Sequence, residues 1–221
     1  MLVATGVSYR RLEARGIDVL GSRGVFYGAT AGEAPQVQGE DVYVVGAANS
    51  AGQAALNFAR YARRVVMLVR GPRLEDSMSE YLAARIRACE AITVREHTEV
   101  VDARGDGHLE GLTLRDRDTG ATEDVETGWL FVFIGALPRT GWLGKEVCRD
   151  ALGFVVTGQD LLVPGREPAW PLDRAPYALE TSVPGVFAAG DVRLDSMKRV
   201  ASAVGEGAMA VYLVHRYLAT V

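Results

Sequence analysis

The stretch "VVGAANSAG", Val44 to Gly52, joins an apolar run at Asp41–Val45 to an alanine-rich segment, Asn49–Ala62, that reads as a helix. A strand-to-helix turn of the form G-x-G-x-x-G/A brings backbone against a pyrophosphate and aims free helix N–H groups at it. Its three positions here are Gly46, Ala48 and Ala51. Gly46 suits the tight turn, and Ala51 is small enough for the helix to pack on the sheet. Ala48 departs from the pattern, because its Cβ points into space that a second glycine would leave for the pyrophosphate. Asn49 or Ser50 is expected to cap the helix. The next apolar run, Val65–Val69, ends at Arg70, followed by Gly71-Pro72-Arg73. An NAD site usually places an acid there for the ribose 2′-hydroxyl, whereas a guanidinium fork suits a 2′-phosphate. Arg70 and Arg73 therefore point to NADPH over NADH. The competing reading is a generic α/β turn with a solvated arginine.

Strand, helix and strand within roughly 30 residues make a βαβ unit, which implies a parallel sheet. A second helix follows, with Met78, Leu82, Ile86 and Cys89 on roughly one face. Ser77-Met78-Ser79-Glu80 ahead of it reads as a capping box. Ile92–Arg95 is a third short strand. Thr98–Ala103, Leu109–Arg115 and Thr122–Thr127, separated by "GDG" and "DTG", read as an antiparallel meander. "LFVFIG", Leu130–Gly135, is a buried strand ending at a glycine. Pro164, Pro168, Pro171, Pro176 and Pro184 then mark a region that is mostly connection, since each proline removes a backbone donor. "GVFAAGD" is another buried strand with a sharp stop. A final helix from about Lys198 has Val200, Val204, Gly207, Val211, Val214 and Leu218 along one face, which reads as its core side.

Composition narrows the function classes. The 221 residues are 48% apolar with a net charge of −4, enough for a core and with no basic concentration for nucleic acid or an anionic membrane surface. No apolar run approaches a membrane span, and "MLVATGVSYRR" has no signal-peptide pattern. Cys89 and Cys148 form neither C-x-x-C nor a metal spacing with His97, His108 or His215, so no metal is expected and the cysteines read as small apolar residues. A reducing, cytoplasmic setting follows.

"ATG" (Ala4–Gly6), "GVFYGAT", "VVGAANSAG", "FIGALP" and "TSVPGVFAAGDV" followed by "KRVASAVGEGA" occur in that order. The ordered set resembles the thioredoxin reductase-like branch of the FAD/NAD(P)H-dependent pyridine nucleotide-disulfide oxidoreductases. It is closest to the reductase-like module that some bacteria fuse to cyclic-nucleotide-binding or receiver domains. The resemblance implies an α/β fold in which a Rossmann-like NADPH-binding domain, a parallel sheet plus a meander, interrupts an FAD domain. Residues 1–20 would be a remnant of the first FAD part and a linker, 21–136 the NADPH domain, and 137–221 the second FAD part.

By the same resemblance, Thr5 and Gly6 lie in the segment that closes the first FAD part, and Gly135 ends the NADPH domain. Asp191, after Gly190, would bond the ribityl chain, and Lys198, Arg199 and Val200 would bring the last helix to the flavin ring. From the residues alone, the favoured readings are a strand-end turn residue for Asp191 and ordinary core packing for the last helix. The family's redox C-x-x-C falls at Gly28 and Ala31. Without thiols there, disulfide exchange through this motif is not expected. Hydride transfer from NADPH to FAD needs no cysteine and no catalytic acid, base or nucleophile from the chain.

The family's glycine-rich FAD segment lies ahead of "ATG", so the chain is expected to be an N-terminally truncated piece. It would hold FAD weakly or not at all, and would expose apolar strand edges around Val186–Ala189. The leading expectation is an NADPH-dependent flavin oxidoreductase with an unidentified electron acceptor, and a homodimer or the missing segment as partner. The alternatives are an NADPH-binding sensory module without turnover and an inactive fragment.

Overall fold

The computed structural model describes residues 1–28 and 34–220. Along the chain run β1 (Leu2–Val3), β2 (Val7–Tyr9), β3 (Val25–Tyr27), β4 (Asp41–Val45), α1 (Asn49–Phe58), β5 (Arg64–Leu68) and α2 (Glu80–Arg87). Then come β6 (Ile92–Arg95), β7 (Thr98–Arg104), β8 (Gly111–Asp116), β9 (Thr122–Glu126), β10 (Trp129–Val132), β11 (Ala136–Pro138), β12 (Phe187–Ala188) and α3 (Val200–Leu218). The contacts divide them into two compact units, Arg11–Gly135 and Met1–Arg10 with Ala136–Val221. The α/β class and the parallel-plus-antiparallel arrangement are those expected from the sequence.

The Arg11–Gly135 unit is built on a five-stranded parallel sheet in the order β3-β10-β4-β5-β6. Alternation along its strands serves two cores. Val42, Val44, Val65 and Met67 face α1 and α2, together with Ala51, Ala55, Leu82 and Ile86. Tyr43, Val45, Val66 and Leu68 face the antiparallel meander β7-β8-β9 through Val100, Leu112 and Leu114. A parallel sheet needs cover on both faces, and here helices supply one and a small sheet the other. α1 stops at Phe58, four residues earlier than the alanine-rich run suggests, because Ala59–Arg63 turn back to start β5. β10 likewise ends at Val132, short of Gly135.

The capping box at Ser77–Glu80 does not form. Ser79 flanks α2 without a side-chain cap, and its N–H donates instead to Asn49 Oδ1 at 2.9 Å. Asn49 is the first helical residue of α1 and spends its side chain on the neighbouring helix, so neither it nor Ser50 caps α1 from the flanking position. Gly52, which the sequence pattern did not single out, sets the spacing of the two helices. A Cβ there would stand 2.7 Å from Met78 Cε and 2.9 Å from Leu82 Cδ2 and Ile86 Cδ1.

The second unit has little regular structure. β1 pairs with β12, β2 pairs with β11, and the proline-bearing stretch from Pro164 to Pro184 carries no helix, a short 3₁₀ turn at Gly158–Leu162 standing just ahead of it. The strand edges at Val186–Ala189 are not open. Phe187 and Ala189 donate to the Met1 and Val3 carbonyls, while Thr181 and Ala188 bond Val186 and Leu179 on the other side. Phe187, Ala188 and Ala189 are buried.

The core side of α3 also differs from the apolar face read in the sequence. Val200 is 84% exposed, Val204 67% and Val211 55%, and Leu218 is exposed as well. The inward stripe is Ala210 and Leu213, with Val214 and Tyr217 partly buried. α3 meets the end of β12 at Ala203, whose Cβ would lie 3.4 Å from a Cβ added to Gly190.

A buried ion pair holds the connecting stretch. Glu180 is fully buried and bidentate to Arg174, at 2.8 Å for each oxygen. It also accepts from the Tyr177 and Gly185 N–H groups. Arg174 lies over the rings of Trp170, Tyr177 and Tyr217. Burial alone would raise the Glu180 pKa, but the Arg174 guanidinium and the two N–H groups outweigh it and hold the carboxyl below its usual range. The stability this contributes is fully present above the ordinary glutamate value of about 4.3 and is lost as pH falls through the lowered folded value. Arg174→Met should cost about 3 kcal/mol at pH 7, because a buried carboxylate loses its counter-ion. The gap to wild type in urea denaturation should narrow at pH 4, where the variant's carboxyl takes up a proton. A gap that widens on acidification would refute this.

Candidate functional site

The turn Gly46–Ala51 leaves β4 and enters α1 where the sequence placed it. Gly46 has φ +139°, and a Cβ there would lie 2.5 Å from the carbonyl oxygen of Phe133, the residue just past the end of β10. Only glycine fits that close approach in that backbone region. The Gly46 N–H donates to the Leu68 carbonyl at 3.1 Å, which ties the turn to the end of β5 as well. Ala51 is fully buried, 3.2 Å from the position of that same Cβ. Ala48 flanks α1 in extended conformation, exposed and without a side-chain cap. Among the described residues no side chain caps the first N–H groups of α1, and the Ala48 methyl stands where the pattern would have a second glycine.

β5 delivers Arg70 to the next strand end. Its side chain is exposed, and none of the described residues forms an ion pair with it. Arg73 makes only a loose contact with Glu75, at 3.8 Å, and Glu75 is held more closely by Arg87 at 3.1 Å. A helix N-terminus beside an uncompensated guanidinium is suited to a phosphorylated anion. Gly135 stands exposed with φ +92° at the end of this unit.

In the other unit, Gly190 and Asp191 follow β12 directly. The Asp191 carboxylate is half-buried and has no hydrogen bond or ion pair among the described residues. Its neighbours are fixed instead. Glu206, in the middle of α3, accepts from the Gly190 N–H at 2.6 Å and pairs with Arg193 through both oxygens, at 3.0 and 2.7 Å. Arg193 also donates to Thr157 Oγ1 at 2.7 Å. The Arg193 guanidinium, with the Gly190 N–H, holds the Glu206 carboxyl below its usual range against the opposing effect of burial. Glu206 was not picked out from the sequence, although a signal exists: it is the only charged residue between Val200 and Val214.

Lys198 stands ahead of α3 with its ammonium 4.6 Å from the centre of the Phe154 ring, so it is packed against the unit's own core edge. Arg199 flanks α3 in extended conformation and Val200 begins it, both exposed. α3 has no side-chain cap at its start, and Ser196 Oγ, just upstream, is buried without a hydrogen-bond partner among the described residues. An unpaired carboxylate after a glycine, an orphaned hydroxyl and an uncapped helix start together leave polar groups for a ligand to satisfy. Thr5 Oγ1 donates to the Arg139 carbonyl at 2.9 Å, and the Arg139 N–H donates to the Gly6 carbonyl, which pins the "ATG" segment.

Gly28 closes β3, its N–H donating to the Val132 carbonyl at 3.0 Å, with φ +83°. That left-handed backbone favours glycine, so a thiol is absent from this position and the chain geometry is fitted to its absence. Ala31 lies outside the described residues. Cys148 is buried and burial pushes its thiol up, so it is a poor nucleophile; Cys89 packs at the edge of the helix-side core. His97 bonds Asp118, and His108 bonds the Leu109 carbonyl. Among the described residues no three His, Cys, Asp or Glu side chains converge as metal ligands, and no helix is long and apolar enough to cross a membrane.

Removing the Glu206 carboxylate would strand both the Gly190 N–H and the Arg193 guanidinium. Glu206→Ala is expected to destabilise the protein by roughly 2–4 kcal/mol, the range for a broken buried charge pair with unpaired donors. Amide exchange at Gly190 should speed up at least about tenfold. Unchanged protection at Gly190 would show that the turn does not depend on α3.

Known proteins share this arrangement. The profile of the pyridine nucleotide-disulphide oxidoreductase family matches residues 1–207. The NADH dehydrogenase of Bacillus subtilis (strain 168) is 29% identical over 99% of this chain and 39% of its own length. The thioredoxin reductase of Treponema pallidum is 30% identical over 100% of this chain and 64% of its own. The solved thioredoxin reductase of Streptococcus pyogenes superposes with a TM-score of 0.77 and 27% identity, over 100% of this chain and 65% of that one. The chain therefore spans between about two-fifths and two-thirds of the length of the proteins it matches. With the profile covering nearly all of it, the chain belongs to the pyridine nucleotide-disulphide oxidoreductase family, in its thioredoxin reductase-like branch.

Proposed function

We propose that this chain carries the NADPH site and part of the FAD site of a flavin oxidoreductase that moves hydride from NADPH without a dithiol. The observation that carries the reading is the uncapped start of α1 behind the Gly46 turn, with the unpaired Arg70 at the next strand end. The turn Gly46–Ala51 would seat a pyrophosphate on the α1 N–H groups, where the helix dipole favours negative charge. Arg70, supported by Arg73, would select a 2′-phosphate through its fork of donors. Gly135 would mark the nucleotide-domain exit.

For the flavin, the unpaired Asp191 carboxylate would accept from hydroxyls of the sugar chain, and Thr5 and Gly6 would border that part of the site. The start of α3, at Lys198, Arg199 and Val200, would place N–H groups where negative charge gathers on reduction. When bound, nicotinamide and flavin supply the hydride chemistry themselves. Gly28 and the inert Cys148 support an acceptor other than a disulfide at this site.

Calorimetric titration of the full chain should give tighter binding of NADP⁺ than of NAD⁺. Arg70→Asp should weaken NADP⁺ by at least about tenfold, or 1.4 kcal/mol, because it replaces an attractive charge with a repulsive one. NADP⁺ affinity that survives this substitution would overturn the cofactor reading.

A further inference from the structure

The meander brings a second arginine to the end of β5. Arg117, in the turn between β8 and β9, donates from Nη1 to the Arg70 carbonyl at 2.9 Å. Its backbone N–H donates to the His97 carbonyl at 2.7 Å, and the His97 N–H donates to the Gly71 carbonyl at 3.1 Å. The Thr98 N–H closes on the Val69 carbonyl at 3.0 Å. The backbone on both sides of Arg70 is thus stitched to the meander, and Arg117 holds the residue between.

The charges there are unbalanced. The acid nearest Arg117 is Glu99, at 3.6 Å, but Glu99 is taken more closely by Arg115, at 3.0 and 2.5 Å. Asp118 bonds His97, and Asp116 spends its carboxylate on the Asp118 and Thr119 N–H groups and the Thr119 hydroxyl. No described acid pairs with Arg70. Arg117 thus brings a guanidinium to the peptide that carries Arg70, and its one close acid among the described residues, Glu99, is shared with Arg115; the surplus positive charge at this strand end favours a bound anion.

We infer that Arg117 determines specificity for phosphorylated dinucleotides: it braces Arg70 from the meander and adds the second positive charge to the 2′-phosphate subsite. The inference rests on the reading of the Gly46 turn and Arg70 as an NADPH site. The ligand feature recognised is a phosphate monoester on the adenosine ribose. Selectivity would then come from two chain segments 47 residues apart, and changes in the meander turn would alter it without touching β5.

The test is calorimetric titration of the full chain with adenosine 2′,5′-bisphosphate and with 5′-AMP, which differ only in the 2′-phosphate. Wild type should prefer the bisphosphate. Arg117→Gln should weaken the bisphosphate about five- to tenfold and leave 5′-AMP within about twofold, as expected for one charge-assisted contact. Arg117→Lys, which keeps the charge but not the fork, should recover part of the loss. Equal weakening of both ligands would reduce Arg117 to a structural support and overturn the inference, and so would unchanged bisphosphate affinity. In either case, Arg70→Asp abolishing the preference would leave the cofactor reading standing. A wild type that does not distinguish the two ligands would overturn the cofactor reading and this inference together.

Discussion

The approach of Gly46 to the Phe133 carbonyl is the constraint on which the Arg11–Gly135 unit depends. With no side chain at Gly46, β4 can turn sharply into α1 and still pack Ala51 against the strand end. That sets where the first α1 N–H groups emerge, above the carboxyl ends of β4 and β5, where open parallel sheets bind their ligands. Gly52, one residue further, lets α2 close on α1. Two adjacent small positions therefore fix the turn against the sheet and the two helices against each other.

The other unit is held by different means. It has few regular elements to share backbone hydrogen bonds, so buried carboxylates collect donors from the loops. Glu180 gathers Arg174 and two N–H groups; Glu206 gathers Arg193 and the Gly190 N–H. Each is a hub whose satisfaction makes the burial of charge tolerable. The second hub has a further consequence, because it immobilises the residues on either side of Asp191 while leaving that carboxylate without a partner. A pre-positioned polar group with nothing to bond is what a ligand site needs from its support.

The relation to disulfide-reducing relatives is a matter of which part of the chemistry a chain keeps. A turn for dinucleotide phosphate and a "GD" turn are served by backbone groups and one carboxylate. A dithiol requires two specific side chains, and Gly28 removes one of them in a backbone conformation a cysteine would adopt only under strain. Family membership is thus compatible with a glycine at position 28.

The sequence alone determined whatever depends on local pattern. Short apolar runs located β4, β5 and β6 nearly to the residue, "GDG" and "DTG" marked the meander, and Gly46 and Arg70 stood where a βαβ unit must put them. Each follows from the length of an apolar run, the order of neighbouring elements or glycine's backbone freedom. Tertiary structure decided which face of α3 turns inward: Ala210 and Leu213 are buried, while Val200, Val204 and Val211 of the valine row are exposed. It also decided that Asn49 would bond the backbone of α2, that Glu206 would brace the "GD" turn and that Arg117 would reach Arg70. Those contacts join residues 16 to 47 positions apart. No periodicity links such distances in sequence; only the packed chain brings them within one hydrogen bond.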